Sequence, residues 1–199
     1  MKHRLWGLLL LVLALAGCSG MRIVDSDVRA FTASQGVQVP ATYRFEILPS
    51  QQAAPQQRDT LERIVQEALE QVGMQRDDGA ARYSVRFDYR LSQDPRSPWD
   101  DDPFLAPGFG MGFPIVSRSG MVYYFPMRMS TFDRPWYRRE VTLLVRRLSD
   151  GALVFESSAR HDGYWSDDLA VLPAMFEAAL RDFPNPPEGP RRVNIEIPR

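Results

Sequence analysis

Arg82-Tyr83-Ser84-Val85-Arg86-Phe87-Asp88-Tyr89-Arg90-Leu91 alternates without a break. Tyr83, Val85, Phe87, Tyr89 and Leu91 fall on one side, and Arg82, Ser84, Arg86, Asp88 and Arg90 on the other. A period of two places successive side chains on opposite faces, so the stretch predicts a β-strand with one buried and one wet face. A sheet wetted on one side needs a second layer on its dry side. Upstream, Ala41 to Leu48 repeats the pattern, with Tyr43, Phe45 and Ile47 against Thr42, Arg44 and Glu46. Between these strands Leu61, Ile64, Val65, Ala68, Leu69 and Val72 recur at helical spacing. Asp59 and Glu62 suggest a capping-box start for that helix, and Gly73 its stop.

Downstream, Tyr137 to Leu148 and Ala152 to Arg160 read as two strands joined through Ser149-Asp150-Gly151, where Asp-Gly supplies the positive φ angles of a tight hairpin. Val141, Leu143, Val145, Leu153 and Phe155 are the expected core residues. A second helix follows Ser166-Asp167-Asp168, with Leu169, Leu172, Phe176, Ala179, Leu180 and Phe183 on its apolar face and Pro173 either opening or interrupting it. Val193, Ile195 and Ile197 can add an edge strand. The fold class is therefore α+β: a two-layer sandwich, mainly antiparallel sheet with two helices packed on one face.

The 199 residues are 44% hydrophobic and 25% charged, which suits one core of modest size. Lys+Arg 24 against Asp+Glu 25 gives a net charge of −1, and no basic run is present, which argues against nucleic-acid binding. The single cysteine, Cys18, excludes a disulfide framework and a Cys-based zinc site. No Walker or dinucleotide glycine motif points to a cofactor, since Gly108, Gly110 and Gly112 lack the helix that should follow.

Met1-Lys2-His3-Arg4 followed by apolar Leu5 to Ala16 reads as a secretion signal, too short for the ~20 apolar residues of a spanning helix. Leu15-Ala16-Gly17-Cys18 resembles the bacterial lipobox, in which the cysteine thiol accepts diacylglycerol and the signal is cut just before it. An ordinary signal peptide with an incidental small-residue site is the alternative. Residues 1–17 are thus expected to be a signal peptide, 18–38 a lipidated tether, and 39–199 a single domain with a long Gly/Pro/aromatic loop at 92–136. Ser19 after Cys18 favours the outer membrane, periplasmic face, by the sorting rule that reserves aspartate there for inner-membrane retention.

Across its mature length the chain resembles the bacterial lipoprotein family called domain of unknown function 4136. The resemblance rests on the lipobox, Ser26-Asp27-Val28 with Phe31, the helix end Leu69-Glu70-Gln71-Val72-Gly73-Met74, the strand Tyr83-Ser84-Val85-Arg86-Phe87, the Gly/aromatic loop, and Thr142-Leu143-Leu144-Val145 through Asp150-Gly151 to Leu153-Val154-Phe155-Glu156. The aromatic insert Met121 to Trp136 departs from the family pattern. The family brings no assigned activity, and its architecture is similar to envelope lipoproteins that act as assembly or transport accessories.

Three residue groups are candidates for chemistry. His161 and Asp162 can form a base with its orienting carboxylate in a lipid-anchored hydrolase, or be an ordinary turn histidine and its neighbour. Asp100-Asp101-Asp102 can offer oxygens to calcium or support a glycan-binding module, or be a solvated loop without EF-hand spacing. Trp99, Phe104, Phe109, Phe113, Tyr123, Tyr124 and Trp136 lack core periodicity, so they are expected either to form a contact surface for an envelope protein partner or to fold back as a lid. The expected function is a non-enzymatic outer-membrane lipoprotein, held to the membrane by lipid on Cys18, that binds or scaffolds another envelope component.

Overall fold

The computed structural model describes residues 20–94, 112–116, 122–126 and 135–198. Its first element corrects an expectation, because the stretch assigned to a tether contains strand β1, Met21–Thr32. Arg22, Val24, Ser26 and Val28 are buried, while Met21, Ile23, Asp25 and Asp27 are exposed. The period of two is present, but polar residues share the inner face with valines and apolar residues share the outer one. Hydropathy alone therefore conceals the strand.

Strand β2 (Ala41–Phe45) leads through a single-turn helix α1 (Pro49–Gln52) into helix α2 (Pro55–Gln71). Helix α2 begins at Pro55, a turn before the expected Asp59, because proline at the first position already holds a helical φ and has no N–H to leave unpaired. Asp59 instead pairs with Arg58 at 2.7 Å. Gly73, at φ 86°, ends the helix in the left-handed conformation that favours glycine. Strands β3 (Met74–Arg76) and β4 (Tyr83–Asp94) follow.

Inside the expected loop 92–136 lie β5 (Gly112–Val116) and β6 (Val122–Pro126), an antiparallel pair. Strands β7 (Trp136–Arg147) and β8 (Leu153–Gly163) form the anticipated hairpin. Its loop has four residues: Arg147 N donates to Ala152 O (2.9 Å) and Gly151 N to Arg147 O (2.8 Å), and only Gly151, at φ 73°, takes a positive φ. The burial alternation slips at Val154 and Phe155, which are both buried, so Val154 enters the core beside Phe155 while Leu153 stays half-buried. Helix α3 (Asp168–Ala179) and strand β9 (Arg191–Pro198) complete the chain.

The main sheet runs β3-β2-β4-β7-β8-β1-β9. Strand β1 pairs antiparallel with β8 and β9, whereas β2 is parallel to both β3 and β4. Helix α3 packs on β1, β9 and α2, and α2 packs on β3. The inner face of the sheet and the two long helices share one core, which includes Val28, Tyr43, Leu69, Val85, Leu143, Phe155, Val171 and Phe176. Each such side chain, fully buried, contributes about 1.5–3 kcal/mol. This is the two-layer α+β sandwich expected from the pattern.

Helix α3 is buried almost all round, with Val171, Leu172, Ala174, Met175, Phe176, Ala178 and Ala179 inside. Its expected apolar face fails at Leu169, which is 66% exposed in the first turn. Pro173 lies within the helix without ending it, and leaves the Leu169 carbonyl without its intrahelical donor. Asp167 caps the start by accepting from Ala170 N at 3.2 Å.

Where a single domain was expected, the chain divides into two compact units: residues 1–90, 140–161 and 167–199 make the first, and 91–139 with 162–166 the second. In the second unit Trp136 stacks edge-on against Tyr164 (4.6 Å, 86°), Arg138 pairs with Asp94 at 3.1 Å, and the buried Arg139 donates to the Trp165 carbonyl.

Candidate functional site

Strand period decides the fate of the expected His161/Asp162 pair. Neighbours on a strand point to opposite faces, and here His161 is 3% exposed while Asp162 is exposed. His161 Nδ1 lies 2.7 Å from the Asp25 carbonyl oxygen. A carbonyl only accepts, so Nδ1 carries the proton. Asp162 accepts from Trp136 Nε1 at 3.1 Å. The two side chains are not brought together, and the histidine instead ties β8 to β1. Around it Ser26 is buried, and Arg22, also buried, donates to Asp167 Oδ2 at 2.9 Å, joining the start of β1 to the cap of α3.

Of the expected contact aromatics, Trp136 is buried, 8% exposed, and committed to Tyr164 and Asp162. Phe113, Tyr123 and Tyr124 fall in the β5–β6 pair, where Phe113 is opposite Phe125, Tyr123 opposite Ile115 and Tyr124 opposite Pro114. Trp99, Phe104, Phe109, Cys18 and Asp100 to Asp102 lie outside the described residues. Among the described residues no three His, Cys, Asp or Glu side chains are grouped to hold a metal ion, and no helix is long and apolar enough to cross a membrane.

The outer sheet face carries a feature that sequence reasoning missed. Asp27 and Arg29 of β1, Ser158 and Arg160 of β8, and Pro190, Arg191 and Arg192 at the start of β9 line a cleft of about 330 Å³. The register builds it. Arg29 is opposite Ser158, and Asp27 is opposite Arg160 on one side and Arg192 on the other. Strand β9 begins opposite Val28, so Arg29 lies just beyond its start. Gly189, at φ 90°, precedes the wall residues. Arg160 donates through Nε and Nη2 to Glu140 Oε1 (3.0 and 2.9 Å), and Arg192 Nε donates to Asp27 Oδ1 (3.3 Å). Arg191, opposite the buried Val28, turns its side chain to the inner face, where Nη2 donates to the Arg181 carbonyl (2.8 Å) and Nε is 3.8 Å from Asp182 Oδ2. No sequence motif flags this group, because its three segments are separated by long stretches of chain.

A second juxtaposition concerns Cys18. Strand β1 starts at Met21, leaving only Ser19 and Gly20 between them. Three residue steps span at most about 11 Å. Met21 and Ile23, at the beginning of the strand, are 52% and 55% exposed.

This two-layer α+β sandwich with an inserted strand pair defines an architecture rather than a reaction. The chain belongs to the family described as Domain of unknown function (DUF4136), whose model matches residues 28–185. No curated protein matches it. Among solved structures, the chain is similar in fold to a PDZ domain protein from Parabacteroides distasonis, at 14% identity and a TM-score of 0.53. That likeness covers 93% of this chain and 41% of the other, so the chain spans less than half of that protein's length. Two structures of the PelC dodecamer from Paraburkholderia phytofirmans match 78% of this chain and 94% of theirs, at 14% and 13% identity and TM-scores of 0.44 and 0.43.

Proposed function

We propose that the protein is a lipoprotein anchored through Cys18 in the periplasmic leaflet of the outer membrane, and that it binds another envelope component without catalysing a reaction. The observation that carries the reading is the lipobox cysteine placed three residues before β1. Acylation there brings the folded part to within about 11 Å of the attachment point. The exposed Met21 and Ile23 then lie beside the acyl chains, where apolar side chains lose least by exposure. The β5–β6 pair and its flanking Gly/aromatic sequence supply the partner contact, since aromatic side chains concentrate binding energy at interfaces.

Replacing Cys18 with serine abolishes labelling by a radioactive fatty acid in growing cells and releases the processed chain from membranes; labelling that persists refutes the anchor. Photo-crosslinking from Tyr124 in intact cells captures an envelope component, and the combined substitution of Phe109, Phe113 and Tyr124 by serine abolishes that capture with the first unit still folded. Unchanged capture by the triple variant refutes the contact surface.

A further inference from the structure

We propose that the free edge of β9 binds a second copy of this chain, β9 against β9, in antiparallel register about a two-fold axis at Asn194. Strand β9 closes one end of the seven-stranded order, and among the described residues β1 alone is hydrogen-bonded to it. The other edge of Arg191–Pro198 therefore leaves backbone N–H and C=O groups open to one more strand. Pro190 and Pro198 bracket the edge and have no N–H to give. The usable donors run from Arg191 to Ile197, and Asn194 is the midpoint of that run.

The edge is complementary to its own reverse. Burial alternates along β9, so Arg192, Asn194 and Glu196 share the exposed outer face, and Val193 and Ile195 the buried inner one. Centred on Asn194, antiparallel pairing sets Arg192 of each copy opposite Glu196 of the other, and Val193 opposite Ile195. Each pair joins like environments, and opposite charges directly across a ladder stabilise it. Glu196 makes no ion pair among the described residues. Arg192, 64% exposed, reaches Asp27 at 3.3 Å through Nε, so Glu196 of the other copy extends that row by one carboxylate. The Asn194 amide, both donor and acceptor, can meet its own copy on the axis. Moving the axis to Val193 or Ile195 sets Asn194 against a charged residue and loses both ion pairs, and moving it to Arg192 or Glu196 sets like charges face to face. Charge thus selects one register.

The pairing does not depend on the anchor, but it is compatible with one. Inner residues meet inner residues, so the sheet continues across the edge and the two-fold stands normal to it. The exposed Met21 and Ile23 of both copies then face the same side. Each Cys18, within about 11 Å of its own Met21, can enter the same leaflet as the other.

The test is disulfide crosslinking of the full chain in growing cells. N194C places one thiol on the axis, where directly opposed antiparallel residues have Cα atoms about 4.5–5.5 Å apart, within disulfide range. The expected result is a disulfide-linked dimer in clear excess over two controls: the native chain, which reads any bond made by Cys18, and R63C, exposed on α2. Differently tagged R192C and E196C chains, expressed together, are expected to crosslink to each other and neither to itself. Adding E196R to N194C sets arginines opposite one another, and most of the dimer is lost. An N194C yield no higher than that of R63C, R192C and E196C chains that fail to join, or a dimer unaffected by E196R overturns the proposal. Capture of a different protein at position 194 in place of the second copy also overturns it, and assigns the edge to a strand of that partner.

Discussion

Tyr43→Phe is expected to stabilise the protein. The side chain is fully buried, its ring meets Phe45 edge-on (5.2 Å, 71°), and its hydroxyl has no hydrogen-bond partner. An unsatisfied buried hydroxyl costs about 1–3 kcal/mol, and deleting it leaves a void of one oxygen that offsets about 0.5 kcal/mol. The net gain of about 1–2 kcal/mol corresponds to a melting temperature higher by about 2–8 °C for a chain of this size. Tyr83→Phe supplies the contrast, because the Tyr83 hydroxyl accepts from Gln38 N at 3.3 Å; its loss orphans that donor and lowers stability by about 1 kcal/mol.

The same hydroxyl predicts a pH dependence. Burial pushes the Tyr43 phenol well above its ordinary range, an effect that the nearby Arg76 only partly offsets. The native chain therefore holds this proton where the unfolded chain, titrating near pH ~10, has released it. Its contribution to stability is complete below that pH and falls above it by about 1.4 kcal/mol per unit for one proton. Calorimetry from neutral to alkaline pH should show the gap between Tyr43→Phe and native protein widening above pH ~10. A Tyr43→Phe protein that melts no higher than native at neutral pH, or a gap that stays constant, would refute the reasoning.

Ser157→Ala removes a buried hydroxyl that donates to the Ala179 carbonyl at 2.6 Å in the last turn of α3, and urea denaturation should show a loss of about 1–2 kcal/mol. Gly151→Ala forces a side chain into φ 73° with nothing nearby to clash, so strain alone should cost about 1–2 kcal/mol in the same assay. Asp150 is held below the ordinary carboxylate range, first by the Ala152 backbone N–H and then by Arg147. Its contribution is present above the unfolded value and is lost as pH falls through the folded one, so Asp150→Asn should flatten the acid limb of the pH–stability curve; an unchanged limb removes the carboxylate from the hairpin's energetics.

Legibility in the sequence followed how far each element's environment repeats along the chain. Strand β4 and helix α2 show a wet face and a dry face at regular spacing, so their residues state their own orientation. In β4 the pattern outlasts the burial, since Leu91 is 45% exposed. Strand β1 reads as a tether because Arg22 and Ser26 share its buried face with the valines, and the partner of Arg22, Asp167, comes from a distant element. The separation of His161 from Asp162 was legible beforehand: extending the predicted strand by two residues turns the pair to opposite faces.

The sequence alone determined the two-layer α+β class, the long helices, the closing hairpin and the family, since these follow from hydrophobic period, turn glycines and motif order, all local along the chain. Only the tertiary structure decided that β1 lies inside the sheet between β8 and β9, that the parallel β2 joins β3 to β4, and that arginines from β1, β8 and β9 share one cleft. Strand order and register arise from hydrogen bonds and packing between distant segments, and such pairings leave no period within any one of them.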